Sequence, residues 1–277
     1  MTITNEGKTY IKRFLAGEVA QIARSISFGI GEAAANAADK RLQFEVGRAP
    51  IESTSFDYVN NKVVFKCSIP QGLSAKITEI GLWSELNNAR AGLSADRGLT
   101  LFDSNEVWSN TPAFSTLNTR IGLDSLRQSP AAGATISNEL SGIALDLSPF
   151  SSTDRLVFAY NNSNTNVASV QVKIKTDDTN YYHTTFTNPT AGFHFDEVAK
   201  SAMTAQGAPK WSDIQKIEVT TVSKAGVVGT IDFDAISIVD VDTINPNYVL
   251  VARQIEPSFT VDPAIPSEIE FPLGITI

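Results

Sequence analysis

Along most of this chain, apolar and polar residues alternate with a period of two, the signature of strands buried on one face. Ile217, Val219 and Thr221 against Glu218 and Thr220 show it clearly. A helical period is confined to the beginning. Tyr10, Ile11, Phe14 and Leu15 recur at three- and four-residue spacing, Thr4 or Asn5 is placed to cap the first free N–H groups, and Gly17 stops the run. The Ala-rich stretch 33–39, with Asp39 as a cap, predicts a second short helical segment through Phe44.

The predicted strands fall into two groups. One group starts with an irregular strand within 19–31, followed by runs at 48–58 and 62–69 parted by Asn60-Asn61, and by 77–83. It resumes only after about 140 residues, the length of a typical domain, with runs at 247–256 and 267–277 joined through Pro257, Pro263 and Pro266. The other group fills the gap, with strands near 119–127, 132–147, 154–162, 166–176, 181–187, 191–197, 214–223 and 228–240. Asn- and Asp-rich turns separate these runs, and a loop near 198–213 interrupts them. The expected architecture is mainly β: a small discontinuous α+β domain, 1–99 plus 243–277, interrupted by an inserted all-β jelly-roll sandwich, 100–242.

Composition narrows the function classes. A net charge of -8 with scattered Lys and Arg argues against binding a phosphate backbone, so nucleic acid is not an expected partner. No run approaches the ~18 apolar residues that span a bilayer, and the first residues show no basic region followed by an apolar stretch. Membrane insertion is not expected. Cys67 is the single cysteine, in an alternating strand, and reads as a small core residue.

Gly29-Ile-Gly31, the segment 42–51, the hairpin ending at Ile69-Pro70, and Thr78-Glu-Ile-Gly-Leu-Trp83 follow one order, which Leu250-Val-Ala-Arg253 and 268–277 continue beyond the gap. That order resembles the N-terminal attachment domain of tailed-bacteriophage tail, collar-fibre and baseplate proteins. The resemblance implies a virion structural protein, made in the host cytoplasm, that docks on other virion proteins as a homo-oligomer or symmetric ring. Read alone, the same residues are ordinary: Glu79 a polar strand position, Gly81 a bulge, Glu45 and Arg48 a surface ion pair worth less than ~1 kcal/mol.

In the insert, Phe102-Asp103 with Trp108, Thr119-Arg-Ile-Gly122, Leu145-Asp-Leu-Ser148, Thr153-Asp-Arg-Leu156, Trp211-Ser-Asp-Ile214 and Ile231-Asp-Phe-Asp-Ala-Ile-Ser-Ile238 resemble a carbohydrate-binding-module-like jelly roll of the galactose-binding type. The resemblance implies a structural calcium held by Asp103 and Asp234, with Asp232 as a further candidate and backbone carbonyls completing the ligands. It also implies a host-surface glycan as a ligand, stacked on Trp108, Tyr181, Tyr182 or Trp211. Against this, Trp108 and Trp211 lie beside turns, where large aromatics commonly plug sandwich ends. Tyr181 and Tyr182 point to opposite faces of one strand. A head-decoration role uses the same two domains.

The sequence gives little sign of catalysis. Two histidines, His183 and His194, lack a Gly-x-Ser-x-Gly elbow or a His-Glu-x-x-His pair, and no phosphate-binding glycine loop is present. His194 alternates with Phe193 and Phe195 and so faces away from them. The pairs Asp177-Asp178 and Asp196-Glu197 read as solvated residues in or near turns, not carboxylates facing across a cleft. No enzymatic activity and no cofactor other than the calcium is expected.

Overall fold

The computed structural model describes residues 1–69, 71–85, 98–102, 106–239, 249–262 and 264–274, with 98–102 as backbone only. The chain forms two compact units, one of Met1–Leu99 with Asp242–Ile277 and one of Thr100–Val241. Among the described residues the fold is mainly β, with four antiparallel sheets and one α-helix.

The first unit opens with the two-residue strand β1 (Thr2–Ile3) and helix α1 (Asn5–Leu15). Thr4 caps the helix, its Oγ1 accepting from the Gly7 amide at 2.8 Å. Gly17, at φ +77°, ends it in the left-handed region. Tyr10 and Ile11 face inward, and Gly7 lets the helix touch the sheet: a Cβ there would lie 2.0 Å from the Val251 carbonyl oxygen. Strands β2 (Ser25–Gly29), β3 (Glu45–Pro50), β4 (Ser53–Asp57), β5 (Lys62–Ile69) and β6 (Ala75–Trp83) follow.

Two expectations are corrected here. Residues 39–44 run as bends and irregular chain, not as a helix. The Gln43 and Phe44 amides donate to the Glu79 carboxylate, at 3.1 and 2.9 Å, and are lost to any helical ladder. The run 48–58 is two strands, because consecutive amides turn to different partners: Ile51 N–H donates to Arg24 O and Glu52 N–H to Lys66 O, both at 2.9 Å.

Strand β7 (Gly98–Phe102) crosses into the second unit, which continues with β8 (Ala113–Ser115), β9 (Ser125–Gln128), β10 (Thr135–Leu145), β11 (Arg155–Asn162), β12 (Val167–Lys175), β13 (Tyr181–Thr187) and β14 (Gly192–Ala199). A single 3-10 turn, Lys200–Ala202, leads to β15 (Thr204–Gln206), β16 (Ile214–Ser223) and β17 (Ile231–Val239). One sheet has the order β10-β16-β12-β13-β15, the other β14-β11-β17-β9-β8, with β7 also paired to β17. Inward residues of the two interlock: Phe158 and Tyr160 of β11 meet Phe186 of β13, with ring centroids 5.4 and 6.0 Å apart. Gln128 links the sheets through Asn138 at 2.8 Å, Val219 O at 2.9 Å and Thr221 at 2.6 Å. On the outer face of the second sheet, Asn118 and the Arg120 backbone N–H bond to Asp232 and Asp234, both of which are buried.

After residues outside the description, the chain returns to the first unit as β18 (Leu250–Val261) and β19 (Ser267–Leu273). Here β18 enters the five-stranded sheet β1-β18-β6-β2-β3, antiparallel to β6 with Leu250 opposite Trp83, and β19 completes β19-β5-β4. Both sheets of the first unit are thus built from segments on both sides of the second.

The pair Glu45–Arg48 departs from the surface ion pair expected. Both side chains are buried, at 4% and 0% exposure, 2.9 Å apart, with the guanidinium 4.0 Å from the centre of the Trp83 ring. Residue Glu79 is no ordinary strand position either. Fully buried, its carboxylate accepts from the Gly31, Gln43 and Phe44 amides and pairs with Arg253 at 2.7 Å.

Candidate functional site

The sandwich opens a cleft where the chain crosses from one sheet to the other. Strand β13 ends at Thr187, residues 188–191 turn with Asn188 at φ 48°, and β14 begins the other sheet at Gly192. Asn162 holds this crossing: its Nδ2 donates to Pro189 O at 2.8 Å and Thr190 O at 2.9 Å. Nε2 of His194 lies 2.8 Å from Thr190 O. Beneath the turn is a cleft of about 460 Å³ lined by Tyr160, Thr185, Thr187, His194, Asp196 and Glu197, among others.

Register places these side chains. Tyr160 pairs with His194 and Phe158 with Asp196, so all four project from one face, toward the other sheet. The Tyr160 ring stacks on His194 at 4.9 Å and on Phe233 at 6.2 Å. Its hydroxyl donates to Asp196 Oδ2 at 2.5 Å. Burial, with the adjacent Asp196 carboxylate, pushes the Tyr160 phenol well above its ordinary range, so it remains a proton donor. Hydroxyls, an imidazole, a carboxylate and an aromatic wall suit recognition of a hydroxyl-rich ligand.

This site was missed in the sequence reading. His194 does face away from Phe193 and Phe195, as expected, but it faces a cleft. Asp196 and Glu197 belong to strand β14, not to a turn, because the run 192–199 pairs without interruption with β11. The tyrosine that orients the cleft, Tyr160, lay unremarked in an apolar strand.

The expected site residues are dispersed. Trp108 is only 3% exposed, bridged to Leu140, and offers no stacking face to solvent because it is part of the core. Tyr182 and Trp211 lie together, rings parallel within 8° and centroids 3.8 Å apart, with the Tyr182 hydroxyl donating to Pro209 O at 2.9 Å. Tyr181 lies on the opposite face, 5.3 Å from Lys173 Nζ. That outer face carries a charge network: Lys173 on Glu218 at 2.8 Å, Lys175 on Glu139 at 2.5 Å and on Glu218 at 3.1 Å, and Lys216 on Asp178 at 2.8 Å.

The calcium expectation falls only in part on the described residues. Asp103 lies outside the described residues. Asp232 is claimed by Arg127, at 2.6 and 2.9 Å, and by Asn118. Asp234 Oδ2 accepts the Arg120 amide at 3.1 Å. Among the described residues no three candidate ligands cluster, and the expected calcium set, with Asp103, lies partly outside them. No described helix is long and apolar enough to cross a membrane.

No family model matches the chain, and no curated protein matches it. Similar solved structures include PfGH50B, at 15% identity and TM-score 0.40, covering 51% of this chain and 23% of that one. They also include the carbohydrate-binding module CBM36 in complex with calcium and xylotriose, at 14% identity and TM-score 0.28, covering 51% and 98%. A third is the enzymatically active domain of bacteriophage CBA120 tailspike protein 4, at 12% identity and TM-score 0.26, covering 62% and 21%. The chain thus spans under a quarter of the length of PfGH50B and of the tailspike domain. These likenesses are too loose to assign an activity.

Proposed function

We propose that this protein is a non-enzymatic structural component of a tailed-phage virion, in which the discontinuous unit docks and the sandwich is displayed. The observation that carries this reading is the antiparallel pairing of β18 with β6, which leaves a complete sandwich carried on a connection of another unit. The motif order of the docking unit, with its resemblance to attachment domains, supplies the virion context. A head, collar, tail or baseplate position is compatible with it.

The non-enzymatic part of the proposal rests on the cleft. Asp196 and Glu197 are consecutive on one strand. Asp196 turns inward to the Tyr160 hydroxyl, whereas Glu197 leaves by the other face, 3.7 Å from Arg155, and reaches only the rim of the cleft. The two therefore do not face each other across a glycosidic bond as an acid–base pair does. The test is mass spectrometry of density-banded particles from the native source. The chain is expected at a fixed stoichiometry with tail or head proteins, and its absence from intact particles would overturn the reading.

A second reading is favoured by the cleft itself: the sandwich binds a host-surface glycan. A glycan array probed with the whole chain is expected to return ligands that Asp196→Ala no longer holds. An array without any ligand leaves the structural role alone, and sugar release from a bound glycan would show turnover and contradict the non-enzymatic assignment.

A further inference from the structure

Among the described residues strand β4 is an uncovered edge, paired only with β5, at one side of the sheet β19-β5-β4. Exposed edges are ordinarily defended by lysine, proline, inward charge or a bulge. The opposite edge, β19, carries Pro272, Glu268 and Glu270. By contrast β4 reads Ser53-Thr-Ser-Phe-Asp57, and its one charge is spent locally, Asp57 accepting from the Val59 and Asn60 amides and from Asn60 Nδ2. Ser53 through Phe56 are all exposed.

The two ends of this strand differ in shape. Its C-terminal end leads into an apolar knob: Phe56 is 44% exposed, Tyr58 87% and Val59 91%, with the two rings edge to face at 4.9 Å. Its N-terminal end borders a groove of about 770 Å³ lined by Phe14, Ile22, Ile51, Thr54, Val63 and Phe65 among others. Register places knob and groove on the same side, because Phe56 lies opposite Val63 and Thr54 opposite Phe65.

The geometry points to a second copy of this chain as the occupant, joined through antiparallel pairing of the two β4 strands about a two-fold axis at Ser55. Antiparallel pairing sets the knob end of each strand against the groove end of the other, so one contact is made twice, as an isologous interface requires. Thr54 then faces Phe56 of the second copy, and two three-stranded sheets become one of six strands. No charge opposes its like across the axis. The exposed parts of Phe56, Tyr58 and Val59 amount to roughly 400 Å² per copy. The two knobs together remove about 800 Å² in all, and the groove walls they cover carry the total past the ~1,000 Å² that a specific interface clears. This inference stands independently of the virion and glycan readings.

Sedimentation velocity of the full chain across a hundredfold concentration range tests it, with Tyr58→Glu and Ser55→Cys as variants. Dimer is expected for the unaltered chain, and at least tenfold weaker association for Tyr58→Glu, whose exposed position leaves the fold intact. Ser55→Cys is expected to form a disulfide-linked dimer on mild oxidation, since Ser55 meets itself on the axis and the native Cys67 is buried. A monomer at every concentration would overturn the inference. So would a dimer that neither Tyr58→Glu weakens nor Ser55→Cys links.

Discussion

Glu79 and Arg253, 174 residues apart in sequence, form a fully desolvated ion pair with Nη2–Oε2 at 2.7 Å and Nε–Oε2 at 2.9 Å. The pair joins β6, before the sandwich, to β18, after it. Burial opposes the Arg253 charge, yet the carboxylates of Glu79 and Asp39 raise its pKa above the ordinary value. Glu79 also gathers three backbone amides, and Arg253 donates to Ala33 O at 2.9 Å. Either partner left alone is a buried charge stripped of its nearest counter-ion. Glu79→Gln and Arg253→Met are each expected to destabilise the first unit by about 3–5 kcal/mol, and the double variant by less than their sum. Urea unfolding followed through Trp83 fluorescence measures this, and strict additivity would contradict the pairing.

The glycines around Glu79 make a second, steric prediction. A Cβ on Gly31 would lie 2.4 Å from Glu79 Oε1 and 2.5 Å from Gln43 Cβ. Gly31→Ala is therefore expected to cost about 1–3 kcal/mol by overpacking. The Arg253→Met background should relieve part of that loss, because Glu79 is then released from one anchor. Equal costs in both backgrounds would mean that the clash is with Gln43 instead.

Acid should weaken the sandwich through its outer charge network. Burial alone would raise the pKa of Glu218, but hydrogen bonds and charge from Lys173 and Lys175 more than offset it and bring it to about 2 from an ordinary 4.5. A carboxyl depressed in the folded state adds stability that is complete above the unfolded value and lost as the pH falls from 4.5 toward 2. Glu139 shifts the same way. Glu218→Gln should reduce stability by on the order of 2 kcal/mol at pH 7 and flatten the decline between pH 4.5 and 2.5. Denaturant midpoints over that range check it, and an unchanged slope would remove Glu218 as its source.

Much of the architecture was legible because periodicity reports burial directly. Ile217, Val219 and Thr221 are buried and Glu218 and Thr220 are not, as alternation implied. The interior cost of polar groups was not legible. Glu79 and Arg48 look like surface residues in sequence, and only the fold brings three amides and Arg253 to the first and an indole ring to the second. The site eluded sequence for the same reason. Asp196 and His194 become a cleft only through Tyr160, 36 and 34 positions earlier, which pairing of β11 with β14 sets beside them. The tryptophans attracted attention by chemistry alone, and Trp108 is core.

Cys67 offers a compact test of that interior. Fully buried in β5, its thiol is pushed up to about 12 by desolvation and then by the Glu52 charge. Ellman's reagent at pH 8 should find no reactive thiol in the native chain and one in the denatured chain. Rapid native labelling would mean that the β4–β5–β19 sheet opens readily.

The cleft predicts an asymmetry between its two hydrogen-bonded partners. Tyr160 is fully buried, whereas Asp196 is half-exposed. Removing the hydroxyl leaves a carboxylate that water can still reach, so Tyr160→Phe should cost less than ~1 kcal/mol. Removing the carboxylate leaves a buried hydroxyl without its acceptor, and Asp196→Ala should cost about 1–3 kcal/mol. Thr185 and Thr187 are exposed at the rim of the cleft, on either side of the inward Phe186 of β13 in the facing sheet. Thr185→Val and Thr187→Val should leave the melting temperature within a degree or so of the parent, since exposed substitutions are typically near neutral. If a hydroxyl-rich ligand in the cleft extends over this rim, the same two substitutions should still weaken binding severalfold, because each removes a hydrogen bond of about 1 kcal/mol. Calorimetry with any glycan returned by the array separates the two effects, and undiminished affinity in both variants would place the ligand elsewhere, with the Tyr182–Trp211 stack the next surface to alter.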